Sequence, residues 1–335
     1  MPNSDSPGIT VRWSSFVVDT TPRCMWGVDL REQNQRFLDG IDPKFFNYVA
    51  DVHTTALEGP ERKHAALAIR LAYAQALETL FALLCAAVQA PNCPLGWLLT
   101  YTNRDIKSVV RKITEGAPVL SRNVTRPVTW RSLSRDIHAF THKDRREDER
   151  IKDLFADTWE ALAADFVDRL AGDEYNSIKH GFRVTPGGSS LIIREPAPST
   201  DPPILESHSE FGTRFFRVEG LSPKGTNFFA PNAMRNWTPV ALAVRMELIA
   251  VSIINIVSYL QLTYGTSRES VDFRWPVETE ALDLAWKADY KVESGQGGYT
   301  ITARHINPML ESEILASYGN AGAADEDTGD ERRDG

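Results

Sequence analysis

Residues 65–88 read AALAIRLAYAQALETLFALLCAAV, and this stretch decides the fold. Alanine and leucine are strong helix formers. Leu67, Leu71, Ala74, Leu77, Phe81, Leu84 and Val88 step by three and four along it, which lays a wide apolar stripe along one side of a helix. Gly59-Pro60 precedes it and Pro91 stops it, so the spacing predicts one helix over about 61–90. A second apolar stretch, VALAVRMELIAVSIINIVSYL (240–260), has Thr238-Pro239 at its first turn and Gly265 beyond its end. Each carries charge, Arg70 and Glu78 in the first and Arg245 and Glu247 in the second. The clean remainder, Leu248 to Leu260, is too short for about 30 Å of hydrocarbon. Both read as core helices of a soluble protein with no membrane span.

The rest of the chain is read outward from these two. A third long helix is expected from Asp144 to about His180, through Ile151, Leu154, Phe155, Trp159, Leu162, Phe166 and Leu170, with a kink at Gly172. Residues 29–58 suit two short helices parted near Gly40 and Pro43. Asn103 can cap a helix to about Thr114, ended by Gly116 and Pro118; 117–128 reads as a loop and 127–140 as a short helix. Then the period changes to two. FRVT, the turn PGGSS and LIIRE suit a hairpin over 182–195, TRFFRV (213–218) a strand, and DYKVES, GQGG and YTITARH a second hairpin at 289–305. The expected fold is mainly α: a helical bundle over 11–320 with a small antiparallel β appendage at 182–218 (α+β), between disordered residues 1–10 and a disordered acidic tail over 321–335.

The chain has 335 residues and a net charge of −8, with 42% hydrophobic and 24% charged residues. That ordinary globular balance excludes collagen, coiled-coil rods and wholesale disorder. The tail holds six acids against two bases, so half of the net charge lies there. Cys24, Cys85 and Cys93 match no metal ribbon or CxxC pair and suit idle thiols in a reducing cytosol. The opening MPNSDSPGITVRW lacks the form of a signal peptide, so a cytoplasmic location is expected. Neither GxSxG, a P-loop nor GxGxxG occurs; GGSS and GQGG sit between alternating segments as hairpin turns. No cofactor and no metal is expected.

One segment carries chemistry. YNSIKHGF, Tyr175 to Phe182, lies where the third helix meets the first hairpin. Asn176 and His180 are four apart and share a helix face, which continues backward to Asp173 and Arg169. Lys179 and Arg183 bring positive charge beside the histidine, and Gly181 can end the helix. A histidine transfers protons near neutral pH, and cations stabilise charge growing on phosphate oxygens. The bland alternative is an ordinary helix C-terminus, where lysine, histidine and glycine are all favoured.

With three residues between Asn176 and His180 and glycine following, this segment resembles the HEPN superfamily, small helical bundles common in bacterial defence and toxin–antitoxin systems. That resemblance implies a metal-independent endoribonuclease. His180 would exchange a proton with a ribose 2′-hydroxyl, Asn176 would orient it, and Lys179 and Arg183 would hold the scissile phosphate. It also implies a homodimer in which two motifs face one groove. The family signature places an arginine before the polar residue, where this chain has Tyr175. Members without that arginine serve as binding or scaffold domains, and a non-catalytic protein, with a structural motif and a partner protein, is the alternative.

RNA is the expected partner for a second reason. Arg104, Lys107, Arg111, Lys112, Arg122, Arg126, Arg131 and Arg135 are opposed only by Asp105 and Glu115, a net +6 over 104–135. Tyr101 and Trp130 lie beside them as candidates for base stacking. The bland alternative is a solvated surface, or a patch that meets an acidic face of the same chain. Arg131/His138 and Arg135/His142 repeat the loose arginine–histidine spacing at chance frequency, and His138 with His142 lacks a third metal ligand. The run HKDRREDERIKD (142–153) reads as a solvated helix face, and Arg70 and Glu78 as rim positions or a polar seam.

Overall fold

The computed structural model describes residues 11–121, 124–139, 145–188, 190–193, 205–220, 227–275 and 309–317. The fold is mainly helical with small antiparallel sheets, as expected. Its helices are α1 (Leu30–Asp39), α2 (Lys44–Thr54), α3 (Arg62–Gln89), α4 (Pro94–Thr100), α5 (Asn103–Thr114), α6 (Trp130–Ile137), α7 (Arg145–Val167), α8 (Arg169–Lys179) and α9 (Pro239–Thr263). Helix α3 is the axis of the bundle and packs most extensively against α9. The stripe on α3 widens along its length, and every residue from Leu80 to Ala90 is buried. A helix enclosed by neighbours is apolar all round. Both α3 and α9 are long and apolar enough to cross a membrane, and most of each apolar window is buried inside the fold.

Two expected helix boundaries move. The third long helix breaks at Asp168 and not at Gly172, because the Asp168 carboxylate accepts the N–H groups of Leu170 and Ala171 and caps a new helix. Gly172 continues inside α8. At α5 the cap is Thr102, which exchanges hydrogen bonds with Asp105; Asn103 is the first helical residue.

The β elements differ more. An N-terminal hairpin joins β1 (Arg12–Val18) to β2 (Thr21–Gly27), and the expected loop at 117–128 holds β3 (Pro118–Ser121) paired with β4 (Val124–Pro127). The segments read as one hairpin over 182–195 do not pair with each other. β5 (Val184–Pro186) pairs with β8 (Gly212–Phe216), and β6 (Ser190–Ile193) pairs with β7 (Leu205–His208). Gly187 and Gly188 donate to the carbonyls of Gly212 and Glu210, so pairing runs through the glycines. A Cβ at Gly188 would lie 1.9 Å from the Ser209 carbonyl oxygen. The glycine pair therefore permits close strand approach instead of a turn. β11 (Asn232–Asn236) completes a three-stranded sheet on β8, and β9 (Glu219–Gly220) pairs with β10 (Phe228–Phe229). The expected second hairpin at 289–305 and both termini read as disordered lie outside the described residues.

Two buried polar groups tie the pieces together. Gln89, at the end of α3, accepts from Asp19 N–H and Trp97 Nε1–H and donates to the carbonyls of Asp19 and Leu120. Arg70 is not a rim residue: it is buried and donates through Nε and Nη2 to Glu174 Oε2, at 3.0 and 2.7 Å. The other Glu174 oxygen accepts from Thr213 Oγ1 at 2.5 Å and Trp237 Nε1 at 2.9 Å. Arg235 stands 3.8 Å from the same carboxylate. One side chain thus joins α3, α8, β8 and the entry to α9.

Burial alone would push the Glu174 carboxyl up, but the guanidinium groups of Arg70 and Arg235, with hydrogen bonds from Arg70 and Thr213, hold it below the usual carboxylate range. A depressed carboxyl contributes its full stability above the unfolded value and loses it as pH falls through the folded one. Glu174→Gln deprives the buried Arg70 guanidinium of its paired carboxylate, while Arg235 keeps Asp165 and Asp168, and is expected to cost about 3–5 kcal/mol in urea unfolding at neutral pH. The gap to the parent narrows as the titration is carried below the carboxylate range. A gap that is constant with pH refutes the charged pair.

Candidate functional site

Helix α8 stops at Lys179, one residue before the histidine, so His180 is its C-cap and not a member of the helix face. The His180 N–H still bonds to the Asn176 carbonyl at 2.9 Å, and Arg183 N–H returns to Ser177 O at 2.7 Å. Gly181 and Phe182 take positive φ, +89° and +51°, to turn the chain toward β5. Ser177 and Ile178 face the core, whereas Asn176, Lys179, His180 and Arg183 are all exposed. The Arg183 guanidinium reaches the Asn176 carbonyl at 3.5 Å, and the Lys179 ammonium lies 5.6 Å from the centre of the Tyr175 ring. Asp173, on the same face farther back, is engaged by Arg217 at 2.9 Å.

Tyr175, in the place of the family arginine, is half-buried. Burial first, and then the Glu78 carboxylate to which its hydroxyl bonds, push its phenol up to about 12. It remains neutral and protonated. Glu78 also accepts from the Tyr101 hydroxyl at 3.1 Å. Side chains from α3, α5, α7 and α8 enclose a cavity of about 260 Å³ here, and Asn176 of the motif lines it beside Arg104 and Lys107. His180 lies beyond this lining. A larger open groove of about 1150 Å³, between β1, α1 and the end of α9, contains none of the motif residues.

The basic segment does not form one continuous strip. Lys112 pairs with Asp19, Arg126 with Asp136, Arg131 with Asp157, and Arg135 with Glu149 and Asp153. The acids of α7 lie against α6 and absorb its arginines, so part of the charged run expected to face solvent is paired; Lys152 within it is buried. Arg122 lies outside the described residues. Arg104, Lys107 and Arg111 remain, three and four apart on α5, with no ion pair among the described residues. The two aromatic residues expected to stack on bases are spent inside. Trp130 is buried and donates to Thr114 Oγ1, and Tyr101 stacks on Trp97. His138 is also buried, against Phe155, Trp159 and Trp275. Its Nδ1 bonds to the Ser134 carbonyl at 2.8 Å and its Nε2 lies 3.2 Å from Asn255 Nδ2. His142 lies outside the described residues, and no group of three metal-ligating side chains occurs among those described.

The sequence reading missed Phe182 as a surface feature and Glu78, Tyr175 and Phe166 as cavity walls. Arg70 and Glu78, the two charges in the apolar stretch 65–88 of α3, were the available signal, since burying charge demands a purpose. No family model, curated protein or solved structure matches the chain.

His180→Ala and Asn176→Ala remove exposed side chains and are expected to change unfolding free energy by less than about 1 kcal/mol. Gly181→Ala places a side chain at φ +89° and is expected to cost about 1–2 kcal/mol in the same urea titration. A larger loss for His180→Ala would make the histidine a structural cap.

Proposed function

We propose that this chain is a HEPN-like protein of a bacterial defence or toxin–antitoxin type, and that it cleaves RNA without metal at the exposed end of α8. The observation that carries this reading is the concentration of exposed groups in one turn: Asn176, Lys179, His180 and Arg183 with Phe182 between them. Phe182 is 57% exposed and held at positive φ, a conformation that costs a bulky residue energy. Strain retained beside reactive groups favours a functional role, and an exposed ring is suited to stacking on an unpaired base.

In this mechanism His180 removes the proton of the ribose 2′-hydroxyl. The 2′-oxygen bonds to phosphorus, the bond from phosphorus to the 5′-oxygen breaks, and the proton is delivered to that leaving oxygen. The products are a 2′,3′-cyclic phosphate and a 5′-hydroxyl end. Lys179 and Arg183 stabilise the charge on the non-bridging oxygens, and Asn176 orients the histidine side of the site. Phe216 and Val218, exposed where Arg217 ties the end of β8 to α8, supply an apolar surface for the homodimer this reading requires.

A second reading, a non-catalytic binding protein, is favoured by Tyr175. A neutral phenol bound to Glu78 cannot supply the positive charge of the family arginine. The two readings part on one assay. Total RNA and tRNA incubated with the protein in EDTA are expected to be cleaved, and His180→Ala to abolish cleavage. Intact RNA after incubation with the well-folded parent protein overturns the catalytic reading. In filter binding, Arg104→Glu and Arg111→Glu are expected to reduce the salt slope by about one each. Arg126→Glu and Arg131→Glu, whose cations are already paired, leave it unchanged.

A further inference from the structure

The cavity of about 260 Å³ between α3, α5, α7 and α8 is a site in its own right, apart from the chemistry of His180. Its volume falls below the roughly 300–1,000 Å³ typical of drug-sized ligand pockets, so only a compact ligand fits. Ala74, Leu77, Phe166 and Ala171 give it largely apolar walls.

Its charges do not balance once internal partners are assigned. Glu78 is taken by the hydroxyl of Tyr101 and by Tyr175. Asp165 accepts from the Tyr73 hydroxyl at 2.7 Å and from Arg245 at 3.2 Å, with Arg235 3.6 Å away. Arg70 belongs to Glu174. Arg104 and Lys107 are left, and neither has a hydrogen bond or ion pair among the described residues. The Lys107 ammonium is half-buried and stands 5.7 Å from the centre of the Phe166 ring. The Asp168 and Asp173 carboxylates act on it only from beyond ion-pair distance and do not offset its burial, and a half-buried cation without a contacting anion is unfavourable.

Gly172 shows that the ammonium is accommodated there. It sits inside α8 without positive φ, so its backbone does not require glycine, and glycine inside a helix costs about 1 kcal/mol relative to alanine. A Cβ at this position would come within 2.8 Å of Lys107 Nζ. The missing side chain is the room that the lysine head occupies. Burial, and then the neighbouring Arg111, lower the Lys107 amine from its ordinary value, outweighing the opposite pull of Asp168 and Asp173, and an anion in contact with it would oppose the lowering.

We propose that this cavity binds a compact organic anion, with an apolar ring-sized body against Leu77 and Phe166 and a carboxylate or phosphate head on Lys107 and Arg104. Asn176 offers an amide at the same mouth.

The probes are benzoate and phenyl phosphate, with inorganic phosphate as a head lacking a body and benzyl alcohol as a body lacking a head. Isothermal titration of the full chain is expected to show binding of benzoate or phenyl phosphate at least about tenfold tighter than either control. Whichever of the two binds tighter identifies the head. Lys107→Met is expected to weaken that binding at least about tenfold and to raise the melting temperature of the unliganded protein, because it removes an unpaired cation. Arg104→Gln alters an exposed residue, keeps the fold, and is expected to weaken binding in the same direction. The proposal is overturned if neither anion binds better than the controls, or if Arg104→Gln and Lys107→Met leave affinity unchanged. No RNA enters this test, so its failure and that of the cleavage assay are read separately.

Discussion

A carboxylate with no access to water, Glu174, is the point on which the remaining architecture depends. Its two oxygens receive Arg70 from α3, Thr213 from β8 and Trp237 from the entry to α9, while its own backbone belongs to α8. Removing a charge from water is expensive, and attraction to a partner repays it only when geometry and additional hydrogen bonds are good. Here both oxygens are satisfied, so the arrangement tolerates little displacement. The sheet is held against the bundle in one register, and α8 is rotated so that Glu174, Ser177 and Ile178 face inward. Asn176 and Lys179 are then directed outward by the geometry of the helix, and His180 is exposed at its C-cap. The exposure of the motif is a consequence of what lies one turn beneath it.

The helices were legible because their signal is local. Repeating apolar residues and flanking proline or glycine locate α3 and α9 to within a residue or two. The break at Asp168 was not legible, since an aspartate inside a helical period reads as a surface residue until its carboxylate is seen to cap the next helix. The strand pairing was hidden for the opposite reason. PGGSS has the composition of a turn, yet the partners of both flanking strands lie beyond the proline-rich stretch, and only long-range pairing decides that the glycines allow close approach.

The site was legible in part. The four motif residues are exposed, and Arg183 reaches the Asn176 carbonyl. The basic segment is divided by ion pairs, which a count of charge along the chain does not reveal. The acids of α7 meet the arginines of α6 and, among the described residues of the segment, leave one face of α5 without ion-pair partners. The aromatic residues in that segment followed the same logic. Trp130 and Tyr101 have hydrogen-bond partners inside the molecule, and their large apolar area makes burial the stronger tendency. The cavity beside Asn176 was invisible to any reading of one segment, because four helices contribute to it.

The buried half of α3 also bears on how the chain is made. Its principal partner, α9, begins about 150 residues after α3 ends. Closing so long a loop slows folding. At a synthesis rate of about 5–20 residues per second, roughly 8–30 s pass between the emergence of the two helices from a ribosome. Throughout that interval α3 lacks its principal partner, although Phe81 can already pack against Trp130 and Phe166, and the segment from Leu80 to Val88 is among the most apolar in the chain. Nascent protein of this kind is a natural client for a chaperone that shields apolar helices, and truncations that lack α9 would leave the α9-facing side of α3 open to aggregation.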